Sequence, residues 1–245
     1  MTKRINLWSS PRNVSTALMY SFAQRADTMV VDEPLYAHYL DKTTSLAVHP
    51  NANEILATYE NDGNKVIENI LLTSYPTKEI VLFKQMTHHL ISLDLGFLRK
   101  MTNVLLIRNP IRIIASYAKV IPNPTIADIG IKMQYELFQY LDSNNHTPIV
   151  LDSKTLLQNP KKTLIKLCQR LNIPFDENML KWEAGTRKED GIWAKYWYAT
   201  IHQSTGFLPY VEKNIKLPKN LSNLAKECQT YYNFLFENVI GSKIK

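Results

Sequence analysis

The chain has 245 residues, of which 45% are hydrophobic and 10% aromatic, so it is long enough for a large core and differs from a disordered chain. It carries 29 basic and 22 acidic side chains, for a formal net charge of +7. It has seven glycines and none precedes Gly63, which excludes an N-terminal G-x-G-x-x-G fingerprint and a glycine-rich Walker A loop.

The basic residues are concentrated near the C-terminus, where residues 146–245 contain fifteen Lys or Arg and nine Asp or Glu. This excess indicates either an anionic ligand or a solvated face, and the even spread of lysines favours the solvated face. Cys168 and Cys228 have no partner cluster, which argues against a disulfide framework or a zinc site. With no signal segment and no apolar run near 18 residues, we expect a soluble, cytoplasmic protein without a membrane span.

Short apolar runs alternate with helical patterns along the first 170 residues. The predicted strands are residues 5–8, 28–31, 79–83, 103–107 and 148–151. The predicted helices are residues 14–24, 53–59, 65–72, 89–98, 111–120, 126–141, 153–171 (bent at 159–160) and 221–238. This order predicts one domain over residues 1–245: an α/β fold with a three-layer αβα core and a central parallel sheet in residues 1–175, and a mostly helical C-terminal part in residues 176–245.

Polar residues follow the first predicted strand, where the chain turns into a helix. Arg12 lies in this loop, and the hydroxyls of Ser15 and Thr16 come at the start of the helix. The free N–H groups and the positive dipole end of a helix start attract anions, and an arginine adds charge. Taken alone, the junction favours an ordinary helix N-cap with Arg12 pointing to solvent.

A second junction follows the fourth predicted strand. Arg108 stands at the strand end, Pro110 suits the first helical turn, and Ser116 lies about two turns into the helix. A guanidinium and a hydroxyl in this arrangement can hold one phosphate. Taken alone, this junction favours a salt-bridged arginine and an incidental serine.

Together the two junctions resemble the sulfotransferases that use 3′-phosphoadenosine 5′-phosphosulfate (PAPS). The first loop of that family has a Pro-Lys/Arg-Ser-Gly-Thr-Thr pattern, and its second motif has Arg and Ser eight residues apart, as Arg108 and Ser116 are here. Residues 152–160 and 171–174 resemble the segment around the family's late helix, and residues 187–193 resemble its C-terminal Arg-Lys-Gly…Gly-Asp-Trp stretch. The four motifs occur in the family's order.

The resemblance implies a fold related to the P-loop NTPases and transfer of a sulfuryl group from PAPS, the co-substrate, to a hydroxyl, or less often an amine, of a small molecule or glycan. It implies no metal and no nucleic acid. The 5′-phosphosulfate is assigned to the first loop, namely Ser10, Pro11, Arg12, Asn13, Val14, Ser15 and Thr16. The 3′-phosphate is assigned to Arg108 and Ser116, with help from Arg187 and Lys188. The resemblance also makes Arg12 catalytic, as a bridge between the 5′-phosphate and the leaving oxygen.

The first loop departs from the family at one point. Asn13-Val14 stands where the family usually has Ser-Gly. The backbone must therefore hold phosphate without the conformational freedom of glycine.

Sulfuryl transfer to a hydroxyl needs a group that accepts the proton of the nucleophile. Glu33, in Asp32-Glu33-Pro34-Leu35, resembles the Glu-Pro-Leu carboxylate of carbohydrate sulfotransferases. His88 and His89 lie four and five residues after Lys84, where cytosolic members have Lys-x-His. The base is Glu33, His88 or His89, and we rank Glu33 slightly above His88. Lys84 either contacts the sulfuryl group or leaving oxygen, or is a surface lysine.

Two questions stay open from the sequence. The aromatic stretch containing Trp182, Trp193, Tyr196, Trp197 and Tyr198 either lines an acceptor pocket or is core under a long loop, and core is favoured for at least half of it. The alternative functions are a kinase-like enzyme with a P-loop fold and a non-catalytic anion-binding protein. The lack of a Walker A lysine argues against the first, and the lack of an RNA-binding motif argues against nucleic-acid binding.

Overall fold

The computed structural model describes residues 2–43, 49–119 and 123–241. Within these ranges the strands are β1 (Lys3–Ser9), β2 (Thr28–Asp32), β3 (Ile80–Met86), β4 (Thr102–Ile107) and β5 (Ile149–Asp152). They form a parallel sheet in the order β2-β3-β1-β4-β5, with helices on both sides. The predicted α/β fold is confirmed, and each predicted strand is present.

Four of the five strands are buried along almost their whole length. β1, β3, β4 and β5 are almost continuously buried, as expected of parallel strands covered on both faces. β2 alternates between buried and more exposed residues and lies at one edge of the sheet.

Most of the helices in the described residues are short, and the two longest have 13 and 16 residues. They are α1 (Ser15–Ala23), α2 (Tyr36–Lys42), α3 (Ala52–Thr58), α4 (Gly63–Val66), α5 (Pro110–Tyr117), α6 (Ile126–Ile129), α7 (Ile131–Ser143), α8 (Ser153–Gln158), α9 (Pro160–Arg170), α10 (Ala194–Trp197), α11 (Ala199–His202) and α12 (Ser222–Glu237). A π-helical turn, Ile67–Leu71, continues α4. No helix among the described residues is long and apolar enough to cross a membrane.

Three predicted helices are interrupted. Gly130, with a φ of 73°, separates α6 from α7. Asn159 separates α8 from α9, which begins at Pro160, in agreement with the predicted bend. The predicted helix over 89–98 is wrong: Ser92 has a φ of 56° and Asp94 caps a new turn, so the segment forms the 3₁₀ turns Thr87–Leu90 and Leu95–Lys100 instead. Val120, the last residue of the helix predicted over 111–120, lies outside the described residues.

The chain divides into two compact units. The first comprises Met1–Leu7, Thr16–Thr102 and Asp176–Phe207. Its core includes a cluster of Tyr36, Leu40, Ile55, Trp193 and Tyr198.

The second unit comprises Trp8–Ser15, Asn103–Phe175 and Leu208–Lys245. Here α12 packs against α7 and α5, with Phe234 edge-on to Tyr135 and Phe138. The single domain over residues 1–245 stays a prediction.

Candidate active site

The loop after β1 takes its shape from Arg12 and Asn13. Arg12 has a φ of 58°, which is uncommon for a residue other than glycine. Asn13 Nδ2 donates to the Leu106 carbonyl at 2.8 Å, and Asn13 Oδ1 accepts from the Val14 N–H at 2.8 Å. The loop therefore makes its turn without glycine, because an arginine adopts the positive φ and an asparagine fastens the turn to β4.

Arg12, Arg108 and Ser116 are in direct contact. Arg12 Nε donates to Ser116 Oγ at 3.0 Å, and Arg108 Nη1 donates to the Arg12 carbonyl oxygen. Ser116 lies on α5, which begins at Pro110 and is capped by Asn109 Oδ1, 3.0 Å from the Ile111 nitrogen. The structure thus brings the two polar junctions of the sequence together at the ends of β1 and β4.

Positive charge is crowded around Arg108. Its burial and the neighbouring guanidiniums of Arg112 and Arg12 lower its pKa. Arg112 and Lys154 donate to the two carboxylate oxygens of Glu212, at 2.9 and 3.1 Å. An anion placed beside Arg108 would offset the repulsion among the arginines.

Buried polar groups support this loop from below. Gln134 on α7 donates to the Leu106 carbonyl at 3.0 Å and to the Trp8 carbonyl at 3.4 Å. A Cβ on Gly130 would lie 3.4 Å from Ser10 Cβ, so this helix junction passes close to the loop. Ser10 and Ser15 are buried, whereas Arg12 is exposed. Sequence reasoning missed Gln134, although a glutamine on an otherwise apolar helix face was a signal.

A separate polar cluster surrounds Lys84 at the ends of β2 and β3. The parallel register pairs Asp32 with Lys84. Lys84 Nζ donates to Asp32 Oδ1 at 3.0 Å, to the Tyr198 hydroxyl at 2.6 Å and to Glu33 Oε1. Three acceptors therefore match the three ammonium hydrogens. The alternative of a surface lysine is wrong, because the side chain is 1% exposed, and the catalytic role of Lys84 stays a prediction.

The backbone at Glu33 lets two consecutive carboxylates reach the same lysine. Successive strand residues normally point to opposite faces. Glu33 has a φ of 43° and precedes Pro34, a combination that the surrounding structure must enforce. Its N–H donates to the Lys84 carbonyl at 2.8 Å, which holds the turn at the end of β2.

The charges of this cluster are strongly coupled. Burial raises the pKa of Glu33; Lys84 opposes the rise and Asp32 adds to it. Burial acts to lower the pKa of Lys84, but the two carboxylates outweigh it and hold the pKa well above its usual value. Burial and Asp32 raise the pKa of Tyr198, so its hydroxyl stays protonated. One ammonium thus faces two carboxylates in a site shielded from water.

His89 lies beside Glu33. Its Nε2 is 3.9 Å from Glu33 Oε2, and its ring lies against those of Tyr36 and Tyr39, with centroid distances of 5.1 and 5.0 Å. Nδ1 is buried and has no hydrogen-bond partner among the residues that the structure describes. Burial and the neighbouring His88 hold the pKa of His89 well below its usual value, so the imidazole is neutral at pH 7. His88 packs edge-on against His89 at 4.6 Å, and its role as base stays a prediction.

Arg187 and Lys188 belong to a segment organised by Asp190. The Arg187 N–H donates to Asp190 Oδ2 at 3.0 Å, and the Tyr20 hydroxyl donates to Asp190 Oδ1 at 2.6 Å. The Arg187 guanidinium lies 5.2 Å from the centre of the Tyr20 ring, and Lys188 is exposed. Their contribution to phosphate binding stays a prediction.

The aromatic stretch is divided between core and surface. Trp182, Trp193 and Tyr198 are buried, whereas Tyr196 and Trp197 are exposed. Trp193 packs on Tyr36 and Tyr59, at 5.1 and 5.3 Å between ring centres. Three of the five aromatic residues are therefore core. Sequence reasoning missed the bonds of Tyr198 to Lys84 and Asp32, because nothing in the sequence separated it from its aromatic neighbours.

Comparison with known proteins identifies the family. Residues 3–233 match the family described as Sulfotransferase domain. The chain is 38% identical over 235 residues to "Branched-chain-amino-acid aminotransferase-like protein 1" of Arabidopsis thaliana. The aligned region covers 96% of this chain and 42% of that protein. Protein 2 of the same name is also 38% identical, so the chain spans about two-fifths of the length of the curated relatives it matches.

Solved structures share the fold at low sequence identity. The sulfotransferase domain of the Synechococcus PCC 7002 olefin synthase is 16% identical, with a TM-score of 0.55 over 93% of this chain and 95% of that one. A sulfotransferase from Alicyclobacillus acidocaldarius is 12% identical, with a TM-score of 0.56 over 100% of this chain and 98% of that one. The chain belongs to the sulfotransferase domain family.

Proposed function

We propose that this chain transfers a sulfuryl group from PAPS to a hydroxyl group of a small molecule or glycan, with an amine as a second class of acceptor. Family membership supports a sulfotransferase, and the chain's own residues support PAPS as donor. The observation that carries the proposal is the 3.0 Å contact between Arg12 Nε and Ser116 Oγ, with Arg108 bound to the Arg12 carbonyl. These groups follow β1 and β4, which are neighbours in the sheet.

The chemistry of these residues fits the donor. Guanidinium groups bind phosphate oxygens through paired, charge-assisted hydrogen bonds, and Arg12 and Arg108 provide two of them. The hydroxyl of Ser116 and the N-terminus of α1 at Ser15 add neutral donors. Burial, together with the positive charges of Arg112 and Arg12, lowers the pKa of Arg108, and a bound phosphate would oppose this effect. When bound, PAPS supplies the sulfuryl group, and Arg12 stabilises the negative charge that develops on the leaving phosphate.

Glu33 is our first choice for the group that takes the proton from the acceptor. Its raised pKa brings the carboxylate closer to the range in which a general base works at neutral pH. Neutral His89, whose Nδ1 has no hydrogen-bond partner in the described part of the chain, is the second choice, and His88 the third. The proposal involves neither a metal ion nor a nucleic acid. It includes a cytoplasmic location, which fits the two cysteines being buried thiols.

Calorimetric titration tests the donor assignment. We expect adenosine 3′,5′-bisphosphate to bind with micromolar affinity, and Arg108→Ala to abolish this binding. Arg170→Ala is the matched control, because Arg170 is an exposed arginine at the end of α9. Stronger binding of ATP that depends on Mg²⁺ would contradict the proposal in favour of a kinase-like enzyme. Preferential binding of short oligonucleotides would contradict it in favour of an anion-binding protein.

A further inference from the structure

Tyr198 completes the hydrogen bonding of the buried Lys84 ammonium. Its hydroxyl accepts from Lys84 Nζ at 2.6 Å and lies 2.8 and 3.0 Å from the two oxygens of Asp32, to which it donates. The residue lies between α10 and α11, 114 positions after Lys84 in the chain, and is 5% exposed. A buried hydroxyl needs hydrogen-bond partners, and Lys84 and Asp32 provide them here.

The two carboxylates of the cluster differ in the number of hydrogen bonds that they accept from the described residues. Asp32 Oδ1 accepts from Lys84 and Tyr198, and Asp32 Oδ2 accepts from Tyr198 and from the Gly191 N–H at 3.3 Å. Glu33 Oε1 accepts from Lys84, whereas Oε2 is 3.9 Å from His89, beyond hydrogen-bond distance. The Glu33 side chain is 7% exposed, against 1% for Asp32 and Lys84. Of these four carboxylate oxygens, Glu33 Oε2 is therefore the one for which the described residues provide no hydrogen-bond partner.

The Tyr198 hydroxyl affects how strongly Lys84 bonds to Asp32 and to Glu33. It stabilises the charge of Asp32 by donating to it, and it occupies one ammonium hydrogen as a neutral acceptor. Without this hydroxyl, Asp32 loses a donor and draws Lys84 more strongly, since opposite charges attract strongly in a buried site. The hydrogen bond from Lys84 to Glu33 then weakens, and the Glu33 carboxylate is held less firmly in one orientation.

We propose that Tyr198 is a positioning residue for Glu33: acting through Asp32 and Lys84, it keeps Oε1 on the lysine and leaves Oε2 available to the acceptor hydroxyl. The inference rests on the proposed function, in which Glu33 takes the proton of the acceptor. It gives the C-terminal segment a part in the reaction, because Tyr198 and Gly191 both bond to Asp32 at the end of β2.

Carboxyl-¹³C NMR of glutamate-labelled protein tests this linkage without any assay of activity. The Glu33 resonance is identified by its loss in Glu33→Gln. The groups facing Glu33 are Asp32, Lys84, His89, Tyr36 and Tyr198. In Tyr198→Phe we expect the Glu33 titration midpoint to rise by about one pH unit, the equivalent of one hydrogen bond to a charged group. An unchanged midpoint would overturn the proposal.

Tyr196→Phe is the matched control. Tyr196 is a neighbouring tyrosine that is 44% exposed, and its hydroxyl donates to Asn51 at 2.9 Å. We expect this variant to leave the Glu33 midpoint where it is in the wild type. An equal shift in both variants would overturn the specific role of Tyr198.

Kinetics test the second half of the inference. With PAPS and either water or an acceptor, Tyr198→Phe is expected to lower kcat roughly tenfold, the effect of one lost charge-assisted hydrogen bond. KM for PAPS and the affinity for adenosine 3′,5′-bisphosphate stay unchanged. A loss that appears in bisphosphate binding and melting temperature as much as in kcat would overturn the positioning role in favour of a structural one.

Failure of the proposed function and failure of this inference give different results. If the wild type neither binds the bisphosphate nor consumes PAPS, the proposed function fails and the role in catalysis fails with it, while the NMR midpoint still decides the linkage. If Tyr198→Phe does not fold, Asp32→Asn replaces it, because the amide keeps the shape of Asp32. The charge of Asp32 raises the Glu33 pKa, so the midpoint should fall in Asp32→Asn, and an unchanged midpoint would overturn the linkage.

Discussion

The Nε atom of Arg12 donates a hydrogen bond to Ser116 Oγ at 3.0 Å, which joins two residues proposed to serve different phosphates of one ligand. Arg12 is exposed, and its positive φ fixes the backbone from which the side chain extends. If a phosphate binds here, we expect the Arg12 guanidinium to exchange Ser116 for a phosphate oxygen.

Replacing Arg12 tests its role in the reaction itself. Arg12→Ala is expected to lower kcat roughly a hundredfold or more, the scale of losing one preorganised group that stabilises developing charge. Steady-state kinetics with PAPS measure this loss, and Arg170→Ala serves as control. A turnover equal to that of the wild type would remove the role assigned to Arg12.

Replacing Ser116 tests the 3′-phosphate site. Ser116→Ala removes one hydroxyl donor and should weaken binding of adenosine 3′,5′-bisphosphate by about five- to tenfold, the value of one hydrogen bond. Ser143→Ala is the control, since Ser143 is exposed and bonds to the Tyr140 carbonyl at the end of α7. Equal affinities in the two variants would contradict the assignment.

Replacing Glu33 tests the base. Glu33→Gln should lower kcat about a hundredfold or more, in line with the loss of a general base, and leave bisphosphate binding unchanged. Lys84 keeps Asp32 and Tyr198 as partners, so we expect the variant to fold. The exposed Glu183→Gln is the control. Retention of wild-type turnover by Glu33→Gln, together with a loss in His89→Gln, would transfer the role to the histidine.

The buried His89 makes stability depend on pH in a definite direction. Its pKa is lowered on folding, so below the unfolded value of about 6.5 the unfolded chain takes up a proton that the folded chain does not. This contribution to stability is present above pH 6.5 and is lost as the pH falls. Between pH 6.5 and 5.5, the free energy of unfolding should fall by up to about 1.4 kcal/mol more in the wild type than in His89→Gln, as measured by urea unfolding. Parallel pH curves would contradict a neutral His89.

The Trp193 ring leaves no space for a side chain at position 191. A Cβ at Gly191 would lie 2.1 Å from Trp193 Cζ2, and the Gly191 N–H donates to Asp32. Gly191→Ala should cost about 1–3 kcal/mol of unfolding free energy through overpacking. The cost should be smaller in a Trp193→Leu background, which removes the atoms in the way. Additive effects of the two substitutions would show that the clash is not the cause.

The sheet could be predicted because its strands are apolar runs covered on both faces, as in β4 and β5. The breaks at Ser92 and Gly130 depend on backbone conformations that helical periodicity does not report. The loop of Arg12 and the Arg108–Ser116 motif could be predicted because each is a local pattern beside a strand end. They meet because β1 and β4 are neighbours in the sheet.

The Lys84 cluster shows what the sequence could not reveal. Lysine side chains are almost never fully buried unless they are paired, so nothing in the sequence indicated that Lys84 lies in the core. Its burial is explained by its three hydrogen-bond acceptors, which only the structure shows. Tyr198 lies 114 residues further along the chain, and sequence spacing carries no information about such a contact. The role of Asp32 was also hidden, because it stands next to Glu33 and strand alternation would have separated them.

Transfer of labelled sulfur measures sulfuryl transfer from PAPS itself. Wild type and Arg12→Ala are incubated with ³⁵S-labelled PAPS and a metabolite extract, and labelled products are separated by chromatography. We expect the wild type to form a labelled acceptor product together with adenosine 3′,5′-bisphosphate, and Arg12→Ala to form at most about one hundredth as much. If the wild type forms no labelled product while the extract supports a known sulfotransferase run in parallel, the claim of sulfuryl transfer from PAPS is contradicted.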